Sequence, residues 1–91
     1  DVPTMAELGY PDVHYVGYIG FFVPAGTPRD IVNKIANETI RVVRLPDIND
    51  KMPVWGGDGA GTTPEAFAAK FKEDVARYAR VIKQANIPPA D

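Results

Sequence analysis

The sequence has no cysteine and no serine, and only one histidine and one tryptophan in 91 residues. Without cysteine there is no disulfide, no thiolate nucleophile and no cysteine-ligated zinc. Without serine the usual hydroxyl nucleophile of a catalytic triad is missing, which leaves His14 beside Asp12 with nothing to activate. His14 therefore reads as a surface or hinge histidine. No apolar run reaches the roughly 18 residues that span a bilayer. Ten basic and twelve acidic residues give a net charge of −2, which argues against nucleic acid, because such a partner asks for a basic face. The first residue is Asp1 and no charged-then-apolar leader follows it, so a signal peptide is expected to have been removed or to lie upstream.

What is present is globular in character: 45% apolar residues and 24% charged, with nine prolines and eight glycines that call for several sharp turns. The length suits one domain or part of one. A free-standing domain of this size would bury only about 60–65% of its unfolded surface.

Thr4-Met5-Ala6-Glu7 has the spacing of a capping box, and Gly9 and Pro11 limit the helix it opens to about two turns. Tyr15 to Val23 is aromatic and β-branched with poor alternation. It reads as a strand buried on both faces, interrupted by Gly17 and Gly20. Thr27-Pro28-Arg29-Asp30 opens a long helix, with Thr27 as cap, Pro28 at the first position and an apolar stripe of Ile31, Ile35 and Val42. Pro46 ends it, and Asp47 is expected to cap one further turn through Met52. Val54-Trp55 suggests a second, short strand.

Thr63-Pro64-Glu65 repeats the helix-start signal. Phe67, Phe71, Val75, Tyr78 and Ile82 then recur at spacings of three and four, an amphipathic helix of about six turns. Glu73 and Arg77 form an i,i+4 pair on it. Asn86 suits the left-handed position past its end, with Ile87 folding back on Ile82.

Few residues suggest chemistry. Gly56-Gly57-Asp58-Gly59-Ala60-Gly61 lies where a phosphate loop would, between a strand and a helix, but Thr62-Thr63 follows where a Lys-Ser or Lys-Thr is needed. A mobile turn is the favoured reading. Asp47, Asn49 and Asp50 lack the glycine and the terminal glutamate of a calcium loop. Glu73 and Asp74 are adjacent on a helix and point apart, so they are no acid–base pair. The aromatic residues Tyr10, Tyr15, Tyr18, Phe21, Phe22 and Trp55 suit a core, and Tyr18, between Gly17 and Gly20, equally suits a ligand cleft.

The order of these segments resembles one family. Asp1-Val2-Pro3-Thr4-Met5-Ala6-Glu7-Leu8-Gly9-Tyr10-Pro11, then Tyr18-Ile19-Gly20-Phe21-Phe22-Val23-Pro24-Ala25-Gly26-Thr27-Pro28, then Thr63-Pro64-Glu65-Ala66-Phe67 and Ala85-Asn86-Ile87 are similar to successive motifs of the tripartite tricarboxylate transporter receptors, also called Bug receptors. The resemblance covers nearly the whole chain and matches the last third of such a receptor. It departs from the family in the glycine-rich stretch before the last helix and in Asn86, where the family has glycine.

The resemblance implies an α/β fold, the C-terminal part of a two-lobed, type II periplasmic-binding-protein-like receptor. Residues 1–91 would form a single unit of it, with one or two strands and two long helices. It implies a periplasmic protein that is not an enzyme and uses no cofactor or metal. Its partners would be a small carboxylate solute and membrane transporter subunits. Tyr18 and Gly20 are the expected ligand-binding positions. By themselves these residues are expected to self-associate through uncovered apolar faces. Two alternatives are a stand-alone protein–protein interaction module with no small ligand and a small enzyme built on the glycine loop.

Overall fold

Both long helices begin after a Thr-Pro step, yet the two threonines act differently. The computed structural model describes residues 2–90; Asp1, the first residue of the opening motif, and Asp91 lie outside them. Helix α1 spans Arg29–Val43, α2 Pro46–Asn49 and α3 Pro64–Gln84. At the start of α3, the Thr63 hydroxyl accepts a hydrogen bond from Ala66 N at 3.2 Å, and Pro64 is the first helical residue. At α1 the register shifts by one: Pro28 is the cap residue and makes no side-chain cap. The expected Thr27 cap is not formed, because its hydroxyl turns back and donates to Pro24 O at 2.7 Å. The Pro24–Thr27 turn, closed by Thr27 N to Pro24 O at 3.2 Å, takes up that group.

The far end of α3 follows its residue chemistry. Asn86 adopts φ 51°. Asn86 N donates to Lys83 O at 3.3 Å, and Ile87 N donates to Ile82 O at 3.1 Å. These are the two bonds of a Schellman motif, which satisfy carbonyls that the helix itself leaves free. The N-terminal capping box also forms: Thr4 N donates to Glu7 Oε2 at 2.7 Å, and Glu7 N donates to Thr4 Oγ1 at 3.2 Å. It encloses a single turn. Gly9 at φ 90° and the Tyr10 N to Met5 O bond of 2.9 Å close that turn.

The expected α/β class is not what the chain adopts. Among the described residues there are helices and turns and no strand. Residues 15–23 make no backbone–backbone hydrogen bond among the described residues. The reason is a missing partner: a strand exists only in a ladder, and the second candidate, Val54-Trp55, winds into a 3-10 turn over Pro53–Trp55 that ends on Gly56 at φ 80°. Asp47 also differs from expectation. It sits within the first turn of α2, with Leu45 in the cap position.

Instead of pairing in a sheet, residues 14–23 lie as a strap along α3 and run antiparallel to it. Tyr15 meets Tyr78 edge-on at 6.4 Å between centroids, Tyr18 meets Phe67 at 5.5 Å, and Phe22 meets Phe67 at 5.5 Å and Phe71 at 5.4 Å. Such pairs contribute about 0.5–1.5 kcal/mol each beyond the area they cover. Ile19 and Phe21 face outward, 101% and 75% exposed.

This packing builds no core. No described apolar residue is buried, and the total accessible surface is 8069 Å². A folded monomer of this mass exposes about 5,200 Å². The radius of gyration is 16.8 Å, against about 12 Å for a compact domain of this length. The apolar faces of α1, α3 and the strap are thus left open to solvent in this chain.

Candidate functional site

The strap and the face of α3 beneath it bring together most of the residues that could carry function. Gly20 is pressed against the ring of Phe67. A Cβ built on it would lie within 2.9 Å of Phe67 Cε1 and 3.1 Å of Cε2, closer than real side chains come. The group that approaches this glycine is an aromatic ring of the same chain. Tyr18 stands next to it, 41% exposed, with its ring edge on Phe67 and the Lys70 ammonium 5.1 Å from its centroid.

Beside Tyr18 lies a charged cluster that sequence reasoning missed. Asp74 is 7% exposed, the single buried residue among those described. Lys70 Nζ donates to its Oδ2 at 3.1 Å and Arg77 Nη2 donates to its Oδ1 at 2.9 Å. Arg77 also reaches the strap, donating from Nη1 to the carbonyl of His14 at 3.3 Å, and its guanidinium lies 5.1 Å from the Tyr78 ring centroid. Arg77 Nε finds no hydrogen-bond partner among the described residues. The expected Glu73–Arg77 pair is therefore replaced by Asp74–Arg77, three residues apart. Spacings of three and four both bring helical side chains together; the strap covers the Asp74 face and decides between them. The signal that could have found Asp74 is its position between Lys70 and Arg77, one turn from each.

The other sequence candidates stay apart from this cluster. His14 contributes its backbone carbonyl, and its residue is exposed. The glycine stretch follows a 3-10 turn, not a strand, and it is seated on α1. A Cβ on Gly59 would meet Val43 O at 3.1 Å, and one on Gly61 would meet Val43 Cγ2 at 3.3 Å. With the start of α3 already capped by Thr63, this loop has the geometry of a packing turn and not of a phosphate cradle. Among the described residues, no three histidine, aspartate or glutamate side chains converge as metal ligands. No helix is long and apolar enough to cross a membrane among them. The backbone N–H and hydroxyl of Thr4 stabilise the Glu7 carboxylate and lower its pKa.

The starts of α1 and α3 are joined by an ion pair between Arg29 and Glu65. An arginine in a first turn opposes the helix dipole, and Glu65 supplies the compensating charge. Along the outer side of α1, Phe21, Lys34, Ile35, Glu38 and Thr39 line a shallow apolar groove of about 430 Å³. It is open to solvent.

Comparison with known proteins gives this scaffold its relatives. The family model described as tripartite tricarboxylate transporter family receptor matches residues 1–87. A protein of Pseudomonas sp. (strain P51), named as a UPF0065 protein in the tcbD-tcbE intergenic region, is 34% identical over 83 residues, 90% of this chain and 25% of its own length. A UPF0065 protein of Agrobacterium vitis is 29% identical across 94% of this chain and 26% of its own length. One of Bordetella bronchiseptica is 26% identical across 98% of this chain and 26% of its own. The chain thus spans about a quarter of the length of the curated relatives it matches. No solved structure matches it. With the family pattern running through all but its last few residues, the chain belongs to the tripartite tricarboxylate transporter family of receptors.

Proposed function

We propose that these residues form part of an extracytoplasmic, periplasmic receptor that captures a small carboxylate or a related metabolite and delivers it to the membrane subunits of a tripartite tricarboxylate-type transporter. The observation that carries this reading is the family match over residues 1–87. The role is capture, with no covalent chemistry. The whole receptor would have two α/β lobes that close on the solute by hinge bending.

Within that receptor the chain acts chiefly as scaffold. Its uncovered helix faces and its strap, whose backbone groups in residues 15–23 find no backbone partner among the described residues, suit a position against the remainder of a larger protein. Tyr18, half-exposed at the edge of the strap, is the side chain of this chain that we assign to the cleft. Gly20 serves the same place by letting the strap approach Phe67.

Isothermal calorimetry tests the reading on a receptor of full family length that carries this sequence, titrated with a panel of mono-, di- and tricarboxylates. Saturable binding of one class is expected, weakened by Tyr18→Ala. Absence of binding across the panel would favour the alternative of an interaction module without a small ligand.

A further inference from the structure

The single buried residue among those described is a carboxylate, in a chain whose apolar residues all remain at least partly exposed. Burial strips a carboxylate of hydration, and it is tolerated only with charged or hydrogen-bonding partners. Asp74 has two, and each of them also grips the strap. Lys70, one turn before it, places its ammonium against the Tyr18 ring. Arg77, one turn after it, donates to the His14 carbonyl and lies by Tyr78, whose ring meets that of Tyr15. Asp74 stands between two cations two turns apart on one helix face.

These contacts matter because residues 15–23 have no backbone ladder among the described residues to place them. Side chains alone decide where the strap lies. Lysine and arginine have many rotamers and give up much freedom when held in one. Neither Lys70 nor Arg77 bonds another carboxylate among the described residues; Asp74 is the anion that holds both. Glu73, next in sequence, bonds neither of them.

We propose that Asp74 is a positioning residue: it holds Lys70 and Arg77 in the rotamers with which they grip residues 14–18, and so sets where Tyr18 lies. Its bearing on solute binding rests on the assignment of Tyr18 to the cleft; the placement of the strap does not.

The test is solution NMR of a receptor of full family length that carries this sequence, with no ligand, so its outcome is independent of whether Tyr18 touches a solute. In the unaltered chain the Lys70 ε-methylene protons are expected upfield of their ordinary position, shifted by the Tyr18 ring, and the Tyr15 and Tyr78 rings should share a cross-peak. Asp74→Asn should abolish both while the helical Cα shifts of α3 persist, and Asp74→Glu should restore both. Arg77→Met should remove the Tyr15–Tyr78 cross-peak and leave the Lys70 shift. The proposal is overturned if either signal survives in Asp74→Asn. It is equally overturned if the signals are absent from the unaltered chain, or vanish only together with the helical shifts of α3, since Asp74 would then merely stabilise the helix.

Discussion

Gly20 and Phe67 are matched in shape: the ring of Phe67 occupies the space that any side chain at residue 20 would need. Gly20→Ala should therefore lift the strap from α3, at a cost of about 1–3 kcal/mol, the usual range for overpacking. Phe67→Leu removes the ring edge and should recover part of that loss in the double variant. A double-mutant cycle by urea titration, followed through tyrosine fluorescence, checks the coupling. Additive effects would show that the two residues do not meet.

The glycine stretch offers a contrast within a few residues. Gly59 is tight against the carbonyl of Val43, whereas a Cβ on Gly57 would meet nothing within 4 Å and Gly57 has no positive φ. Gly57→Ala should be neutral or stabilise by up to about 1 kcal/mol, by reducing the freedom of the unfolded chain. Gly59→Val should destabilise, because Val43 O belongs to the backbone at the end of α1 and cannot step aside. Thermal unfolding followed by circular dichroism separates the two. A phosphate loop would behave differently, with phosphate raising the midpoint of the unaltered chain.

The end of α3 can be tuned. Asn86 holds a left-handed backbone at φ 51°, which costs most residues roughly 1–2 kcal/mol and glycine nothing. Asn86→Gly should lengthen the persistent helix, and Asn86→Ala should fray it over Val81–Ala85. Carbon chemical shifts along α3 report both.

The N-terminal turn should loosen in acid. The bonds from Thr4 hold Glu7 below its usual carboxylate range, so folding of the turn is favoured when Glu7 is ionised. That contribution is fully present above the unfolded-state pKa and is lost as pH falls through the lowered folded-state value. The Glu7 side-chain carbon and the Thr4 amide should titrate together below the ordinary glutamate range. Glu7→Gln should remove the transition.

Local order in this chain was readable where the cause is local. The spacing from Phe67 to Ile82, the Thr63 cap, the Asn86 turn and the Thr4–Glu7 box depend on residues within a few positions of each other, and all four appear. Tyr15–Val23 was not readable in the same way. Its composition favours a strand, but pairing is decided by a distant partner, and Val54-Trp55, started by Pro53 and ended by Gly56, forms a turn instead. The pairing of Asp74 with Lys70 and Arg77 was not readable for a related reason. A helical aspartate flanked by lysine and arginine reads as solvated until the strap is laid over it. Thr27 and Thr63 share one motif, and the turn after Pro24 separates their roles.

We infer that these residues are a scaffold whose exposed apolar faces suit cover by other protein. Sedimentation velocity of the 91-residue chain over a wide concentration range tests it most directly. With so much surface uncovered, the chain should self-associate as its concentration rises, and less so with Ile19→Lys or Phe21→Lys on the outward side of the strap. A single species with the mass and frictional ratio of a compact monomer, unchanged up to the highest concentration, would contradict it.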